Sequence, residues 1–325
     1  MRLAALILSP IILLTFIACS QVMKSKRNTE LGKAQTLLWS ADWSADDKLI
    51  AIGGDDSLLR IFDGKYLKQM KTYRINSMIR QVSWHPKNNS IAIATAGNQV
   101  SILNTESGKF IKLEGVTNGA RAIGWNFNGE LLATADNEGL IKIWDVKGNL
   151  LRVIKKEDTN SYFSLHWHPY KNIIAVSGDD IRIVDTSGTT LNVIKHRKEN
   201  TGILAIRWHP EGAFFATGDY GHDQEGVKSI LQFWKPDGTL MKTIYGSKAE
   251  YRNIQWNKEG TQLATASDAL RIWNKNGDLL FSGIAEELLW GLDWNSKSDH
   301  VITTSINGRI KLWNAQAKSI MKTTE

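Results

Sequence analysis

Tryptophan recurs along the chain at 43, 84, 125, 167, 208, 256 and 294, at intervals of 41, 41, 42, 41, 48 and 38 residues. A period near 40 residues means that one small unit is repeated, and a unit that short cannot bury its apolar surface alone. Each Trp closes a strand-like run, as in IRQVSW, FSLHW or RNIQW, and a polar turn such as HPKNN or NKEG follows. A run of small and apolar residues comes next (SIAIATAG, LLATAD, QLATAS). A third run has alternating apolar residues (LLRIFD, LIKIWD, LRIWN), and a short fourth one closes the unit (GKFIKL, GTLMKTI). Alternation with a period of two marks half-buried strands, and no helical period is sustained beyond the N-terminal segment. Four short strands per unit and seven units predict an all-β, seven-bladed β-propeller with four antiparallel strands per blade. The blades are expected at about 35–73, 74–114, 115–156, 157–197, 198–246, 247–283 and 284–325.

The third strands end at Phe62, Leu103, Trp144, Val184, Trp234, Trp273 and Trp313, each followed by Asp, Asn or Lys. This pattern resembles the WD-repeat β-propeller family, from about residue 35 to the C-terminus. Departures are visible. The Trp-Asp pair itself occurs once, at Trp144-Asp145, and the Gly-His pair that opens the family's repeats is missing. The family's His–Ser/Thr–Asp–Trp hydrogen-bond network is therefore expected not to form, leaving aromatic packing to stabilise the blades. Ser319 to Thr323 already supplies the outer edge of the seventh blade, so no N-terminal strand is expected to latch the ring.

The N-terminal segment has a different character. Residues 1–18 read as Arg2, an apolar run from Leu3 to Ile17, and Ala18 before Cys19, the chain's one cysteine. A basic start, a short apolar region and a small residue at the junction describe a secretory signal. The run is shorter than the roughly 20 residues that cross a bilayer. Phe16-Ile17-Ala18-Cys19 resembles the lipobox of bacterial lipoproteins, in which the cysteine is acylated. That resemblance implies Cys19 as a lipid anchor, residues 19–34 as a polar tether, and a location at a bacterial envelope, facing the periplasm or the cell surface.

Composition and motifs argue against chemistry. With 40 Lys and Arg against 33 Asp and Glu, the net charge of +7 is mild and spread along the 325 residues, which is weak support for nucleic-acid binding. One cysteine excludes a disulfide scaffold and a cysteine-based zinc site. His85, His168 and His209 each stand in a Trp-His-Pro triplet, which reads as a repeated turn element. His166, His196 and His300 have no acidic or His neighbour at ligand spacing. No phosphate-binding loop, dinucleotide fingerprint or zinc-protease segment is present. The long blade 5 loop, 219–229, carries His222, Asp223 and Glu225, which read as a solvated acidic loop more than a cation site. The basic column Arg60, Lys142, Arg182, Arg271 and Lys311 is expected to be a solvated face.

One column escapes a structural explanation. Eleven of the 13 Trp close first or third strands; Trp39 and Trp290 do not. Both stand four residues before a repeat Trp, in a column that reads Trp39, Arg80, Arg121, Phe163, Leu204, Arg252, Trp290. The neighbouring columns are regular and apolar, whereas this one is large and mixed. In the WD-repeat family the start of the innermost strand lies at the rim of the central channel, a usual partner-binding face. Trp and Arg are enriched at binding hot spots. Three Arg without an acid in the column suit an acidic peptide, a carboxylate or a phosphate. The same side chains can alternatively plug the mouth by cation–π stacking.

The expectation is thus a non-catalytic interaction scaffold with no cofactor and no metal. It would bind a protein partner, one with an acidic segment, through Trp39, Arg80, Arg121, Phe163, Arg252 and Trp290. The alternatives are a periplasmic propeller enzyme or small-ligand protein, and an intracellular WD-repeat scaffold that keeps its membrane anchor.

Overall fold

In the computed structural model the described residues are 36–116, 118–155, 161–196, 201–221 and 226–324. The signal segment, the tether with Cys19, and His222, Asp223 and Glu225 lie outside them. Among the described residues there is no helix, and hence none long and apolar enough to cross a membrane. Twenty-eight strands form seven four-stranded antiparallel sheets, each in simple meander order. Blade 1 runs Leu38–Trp43, Leu49–Gly54, Leu58–Asp63 and Gln69–Arg74; blade 7 runs Leu289–Trp294, His300–Ser305, Arg309–Asn314 and Ser319–Thr324. Innermost strands of successive blades touch all the way round, including those of blades 7 and 1, so the ring closes.

The core is divided among the blade interfaces. Seven hydrophobic clusters are present, and each joins one blade to the next. In one of them Ala51, Leu59 and Ile61 of blade 1 pack against Ile79, Val82 and Trp84 of blade 2. The repeat Trp is therefore a wedge between sheets, which is why the period of the sequence is the period of the fold.

Two sequence expectations need correction. The first concerns the hydrogen-bond network. Trp144, Trp234, Trp273 and Trp313 donate their indole N–H to Thr134, Thr217, Thr265 and Thr303 at 3.2, 3.0, 3.0 and 2.8 Å. The three blades whose third strand ends in Phe62, Leu103 or Val184 carry Ile52, Ile93 or Val176 at the Thr position. A hydroxyl buried there would have no indole to meet, so donor and acceptor are kept or lost together. In blade 5 His196 Nε2 lies 2.9 Å from Asp219 Oδ2, beside the Thr217–Trp234 pair, but His196 Nδ1 has no partner, so the two halves of the network form without joining. The His comes from Lys195-His196 in place of Gly-His, and it does have an acidic partner.

The second concerns the basic column, which is buried at Arg60, Lys142, Arg271 and Lys311 and half-buried at Arg182. Arg60 pairs with Asp56, Arg182 with Asp180 at 3.2 Å and Arg271 with Asp268 at 2.8 Å. Lys142 and Lys311 lie 3.8 Å from Asp136 and Glu287. Four of these acids come from the tight turn entering the same strand, and a cation withdrawn from water needs such a partner.

The Trp-His-Pro elements are struts between blades. His85, His168 and His209 donate from Nε2 to the carbonyls of Gly129, Gly212 and Gly260 in the next blade, at 2.9, 3.2 and 2.8 Å. Their Nδ1 atoms accept from backbone N–H groups two residues on, which fixes the neutral tautomer. The three glycines have φ between +69° and +78°, and a Cβ on any of them would collide with the imidazole.

Among the described residues no strand exchange latches the ring. Instead Trp43 N–H donates to Asp293 Oδ2 at 2.8 Å, Thr304 Oγ1 donates to the Leu38 carbonyl at 3.0 Å, and Ser296 binds Asp47 through N and Oγ at 2.7 and 2.8 Å. The residue before the repeat Trp plays the same part elsewhere: Trp84 N–H meets Asp42 at 2.5 Å and Trp208 N–H meets His166 Nδ1 at 3.1 Å.

His166 makes an acid-sensitive joint. Burial, with Arg207 and His168 nearby, pushes its pKa down to about 3. The unfolded chain takes up this proton near pH 6.5 while the fold refuses it, so stability is present above that pH and is lost as pH falls from 6.5 toward 3. His166→Asn keeps an acceptor for Trp208 N–H and removes the titration. Chemical denaturation at pH 7 and pH 5 should show the wild type losing about 2 kcal/mol relative to the variant on acidification. Parallel behaviour of the two proteins would refute this assignment.

Candidate partner-binding site at the channel mouth

The rim side chains owe their placement to irregular strand starts. In blades 1, 2, 5 and 7 the register of the innermost strand shifts at Trp39, Arg80, Leu204 and Trp290, leaving each of these residues out of the ladder. A bulge of this kind re-aims a side chain, so the bulged residue and its successor can face the same space. In blades 3, 4 and 6 the ladder begins after Arg121, Phe163 and Arg252, whose N–H groups bond the Ala135, Ser177 and Ala266 carbonyls at 2.8, 2.7 and 3.1 Å. All seven residues of the column line one cavity of about 80 Å³.

The side chains stack in two sets. The Trp39 and Trp290 rings tilt against each other with centroids 4.4 Å apart. The Arg80 guanidinium lies 6.0 Å from the Trp39 ring, and that of Arg252 lies 4.5 Å from Trp290 and 5.7 Å from Tyr220. The result is a chain of Arg252, Trp290, Trp39 and Arg80 running across blades 6, 7, 1 and 2. On the neighbouring arc Arg121 covers Phe163 at 4.5 Å. The self-stacking that the sequence left open is therefore present. A guanidinium held near a ring keeps in-plane N–H donors with which to meet an anion.

The charges are unevenly answered. Arg252 pairs with Glu250 at 3.0 Å. Among the described residues the Arg80 and Arg121 side chains have no hydrogen bond or ion pair, and Arg80 Nε is shut off from water with no acceptor. Burial lowers the Arg80 pKa. Burial together with the cations of Arg80 and Arg252 pushes Arg121 down to about 9. Like charges held this close raise the energy of the empty mouth, and an anion there would lower it.

Sequence reasoning missed the floor. Ser40, Gln81, Ser164, Ala205 and Asn253 follow the rim column, and Arg207 lies below it. Arg207 donates to Gln255 Oε1 at 3.0 Å, to the Ile206 carbonyl at 2.8 Å, and to Ser164 and Asn253 at 3.3 Å. Burial lowers its pKa while Asp293 and Asp42 raise it. Those two carboxyls stand together in the interior; burial chiefly raises both, and repulsion by Asp293 raises Asp42 further. The signal was available: the column before the repeat Trp reads Asp42, Ser83, Gly124, His166, Arg207, Gln255, Asp293, small or polar throughout.

Nothing in this arrangement offers a nucleophile with an adjacent base. Among the described residues no group of three or more His, Cys, Asp and Glu is placed to hold a metal ion.

Residues 15–299 match the family model described as the nucleolar protein 10-like, N-terminal domain. Curated relatives include the SIR4-interacting protein SIF2 of Saccharomyces cerevisiae, 22% identical over 67% of this chain and 42% of its own. The histone-binding protein MSI1 of the same yeast is 24% identical over 66% of this chain and 53% of its own. Human WD repeat-containing protein 35 is 19% identical over 80% of this chain and 23% of its own. The chain thus spans from about a quarter to about half of the length of these relatives.

Proposed function

We propose that this chain, which belongs to the family of nucleolar protein 10-like N-terminal propeller domains, is a non-catalytic scaffold that holds an acidic segment of a protein partner at its channel mouth. The observation that carries this reading is the convergence of Arg80, Arg121 and Arg252 with Trp39, Phe163 and Trp290 on one cavity, with Arg80 and Arg121 unanswered by any acid among the described residues. Arg and Trp preset by stacking lose little freedom on binding, which favours them as anchors. Two WD-repeat relatives are named for binding SIR4 and histone, in keeping with a partner-binding role.

The test is cross-linked capture from native extract, read by mass spectrometry, beside the Arg80→Glu/Arg121→Glu double variant. Anchors worth about 2 kcal/mol or more imply a loss of capture of roughly 30-fold or greater. Equal capture by a folded double variant would remove the mouth as the binding face.

Export and attachment through a lipid on Cys19, at a bacterial envelope, complete the proposal and rest on the Arg2–Cys19 sequence. Cys19→Ser should release the protein from membranes and remove acyl groups from its N-terminal peptide. Release without any acyl group on the wild type would refute the anchor.

A further inference from the structure

Resting on the reading of the mouth as a partner site, we infer that its ligand is a phosphate monoester carried on a side chain of the protein partner. Charge is the first ground. Three guanidiniums against the single Glu250 carboxylate leave two positive charges at the rim. Below them Arg207 lies beside the Asp42 and Asp293 pair; burial and mutual repulsion oppose ionisation of both carboxyls, and a single carboxylate there balances Arg207 and leaves the rim charge in place. A carboxylate brings one negative charge, whereas a phosphate monoester near neutral pH brings about −1.5 to −2.

Donor geometry is the second ground. A carboxylate has two oxygens and is satisfied by one guanidinium fork. Here guanidiniums from blades 2, 3 and 6 surround one cavity of about 80 Å³, close enough that Arg80 and Arg252 both depress the proton affinity of Arg121. Three separate forks suit the three terminal oxygens of a phosphoryl group. Each guanidinium lies near a ring, Arg80 6.0 Å from Trp39, Arg121 4.5 Å from Phe163 and Arg252 4.5 Å from Trp290, a contact that restricts its motion. Among the described residues Arg252 alone of the three carries a competing acid, so Arg80 and Arg121 are the primary contacts.

The probes are three fluorescent Gly/Ser peptides, identical except for a central phosphoserine, glutamate or serine, titrated into the full chain by anisotropy. The phosphoserine peptide should bind at least tenfold more tightly than the glutamate peptide, and the serine peptide should not bind measurably. Its affinity should fall about fourfold from pH 7.5 to 5.5, because the monoester's second pKa is near 6, while a carboxylate stays ionised over that range. Arg80→Gln and Arg121→Gln should each weaken it tenfold or more. Arg80→Lys, which keeps the charge and loses the fork, should recover only part of that loss. Thermal unfolding of each variant separates lost binding from lost folding.

Equal binding of the glutamate and phosphoserine peptides would overturn the phosphate assignment and leave an acidic-segment site. Inorganic phosphate binding as tightly as the phosphopeptide would overturn the partner-borne source. Failure of both anionic peptides, while native partner capture still depends on Arg80 and Arg121, would overturn the inference and spare the scaffold reading. Loss of that dependence as well would overturn both.

Discussion

Asp219→Ala is expected to destabilise the protein by about 3–5 kcal/mol, because it strips a buried network of its common acceptor. Asp219 is fully buried at the end of the second strand of blade 5. Its Oδ1 accepts from Ile230 N–H at 2.8 Å, and its Oδ2 meets His196 Nε2 at 2.9 Å and Thr201 Oγ1 at 3.3 Å. Removing the carboxyl takes the acceptor from Ile230 N–H and His196 Nε2 and one contact from Thr201 Oγ1, each unpaired buried donor costing about 1–3 kcal/mol. Asp219→Asn keeps one oxygen for Ile230 N–H but turns an NH₂ toward His196 and Thr201, and its cost should be intermediate. His196→Ala removes a single partner and should cost about 1–2 kcal/mol. Denaturant unfolding of the three variants checks the order; a loss under about 1 kcal/mol for Asp219→Ala would mean that blade 5 does not depend on this network.

The second large effect belongs to the ring seam. Asp293→Ala should cost about 2–4 kcal/mol and loosen the contact between blades 7 and 1. Asp293 accepts from Trp43 N–H across the seam at 2.8 Å and from Gln255 Nε2 at 3.1 Å. Because both strands of that contact end in their own blades, hydrogen bonds and the cluster around Trp43 hold the seam with no exchanged strand. Amide exchange at Trp43 should accelerate about 100-fold, the equivalent of about 2.7 kcal/mol in local opening. Unchanged protection at Trp43 would show that the apolar cluster alone closes the ring. The substitution also removes the carboxyl that repels Asp42, so the Asp42 pKa should move down toward the ordinary carboxylate range. Asp42→Ala breaks the matching bond to Trp84 N–H at the joint of blades 1 and 2, and comparison of the two variants isolates what is special to the seam.

Pattern within a strand records which face a side chain occupies, and partners supplied by other segments leave no trace in it. The basic column at Arg60, Lys142, Arg182, Arg271 and Lys311 alternates correctly with its apolar neighbours, and alternation tells which face a side chain occupies. It does not tell what lies over that face. In a sheet stacked between two others both faces are covered, so the polar face is buried and its cations recruit Asp56, Asp136, Asp180, Asp268 and Glu287. His196 was passed over because its acid stands 23 residues away, on the next blade. The Thr–Trp pairs were within reach, since Thr134, Thr217, Thr265 and Thr303 occur only in blades whose third strand ends in Trp.

The sequence by itself determined the all-β class, the number of blades and the four strands in each. All of these follow from period and position, which a repeat carries openly: each unit places the same column at the same height. Tertiary structure alone decided how the rim side chains meet. Bulges at Trp39, Arg80, Leu204 and Trp290 shift the start of four innermost strands, and ring closure sets Trp290 against Trp39, 251 positions apart in the chain. Which cation stacks on which ring, which one Glu250 neutralises and which one drops to the floor depend on those local shifts and on closure. They arise from packing across blades, and the spacing within a single repeat holds no record of it.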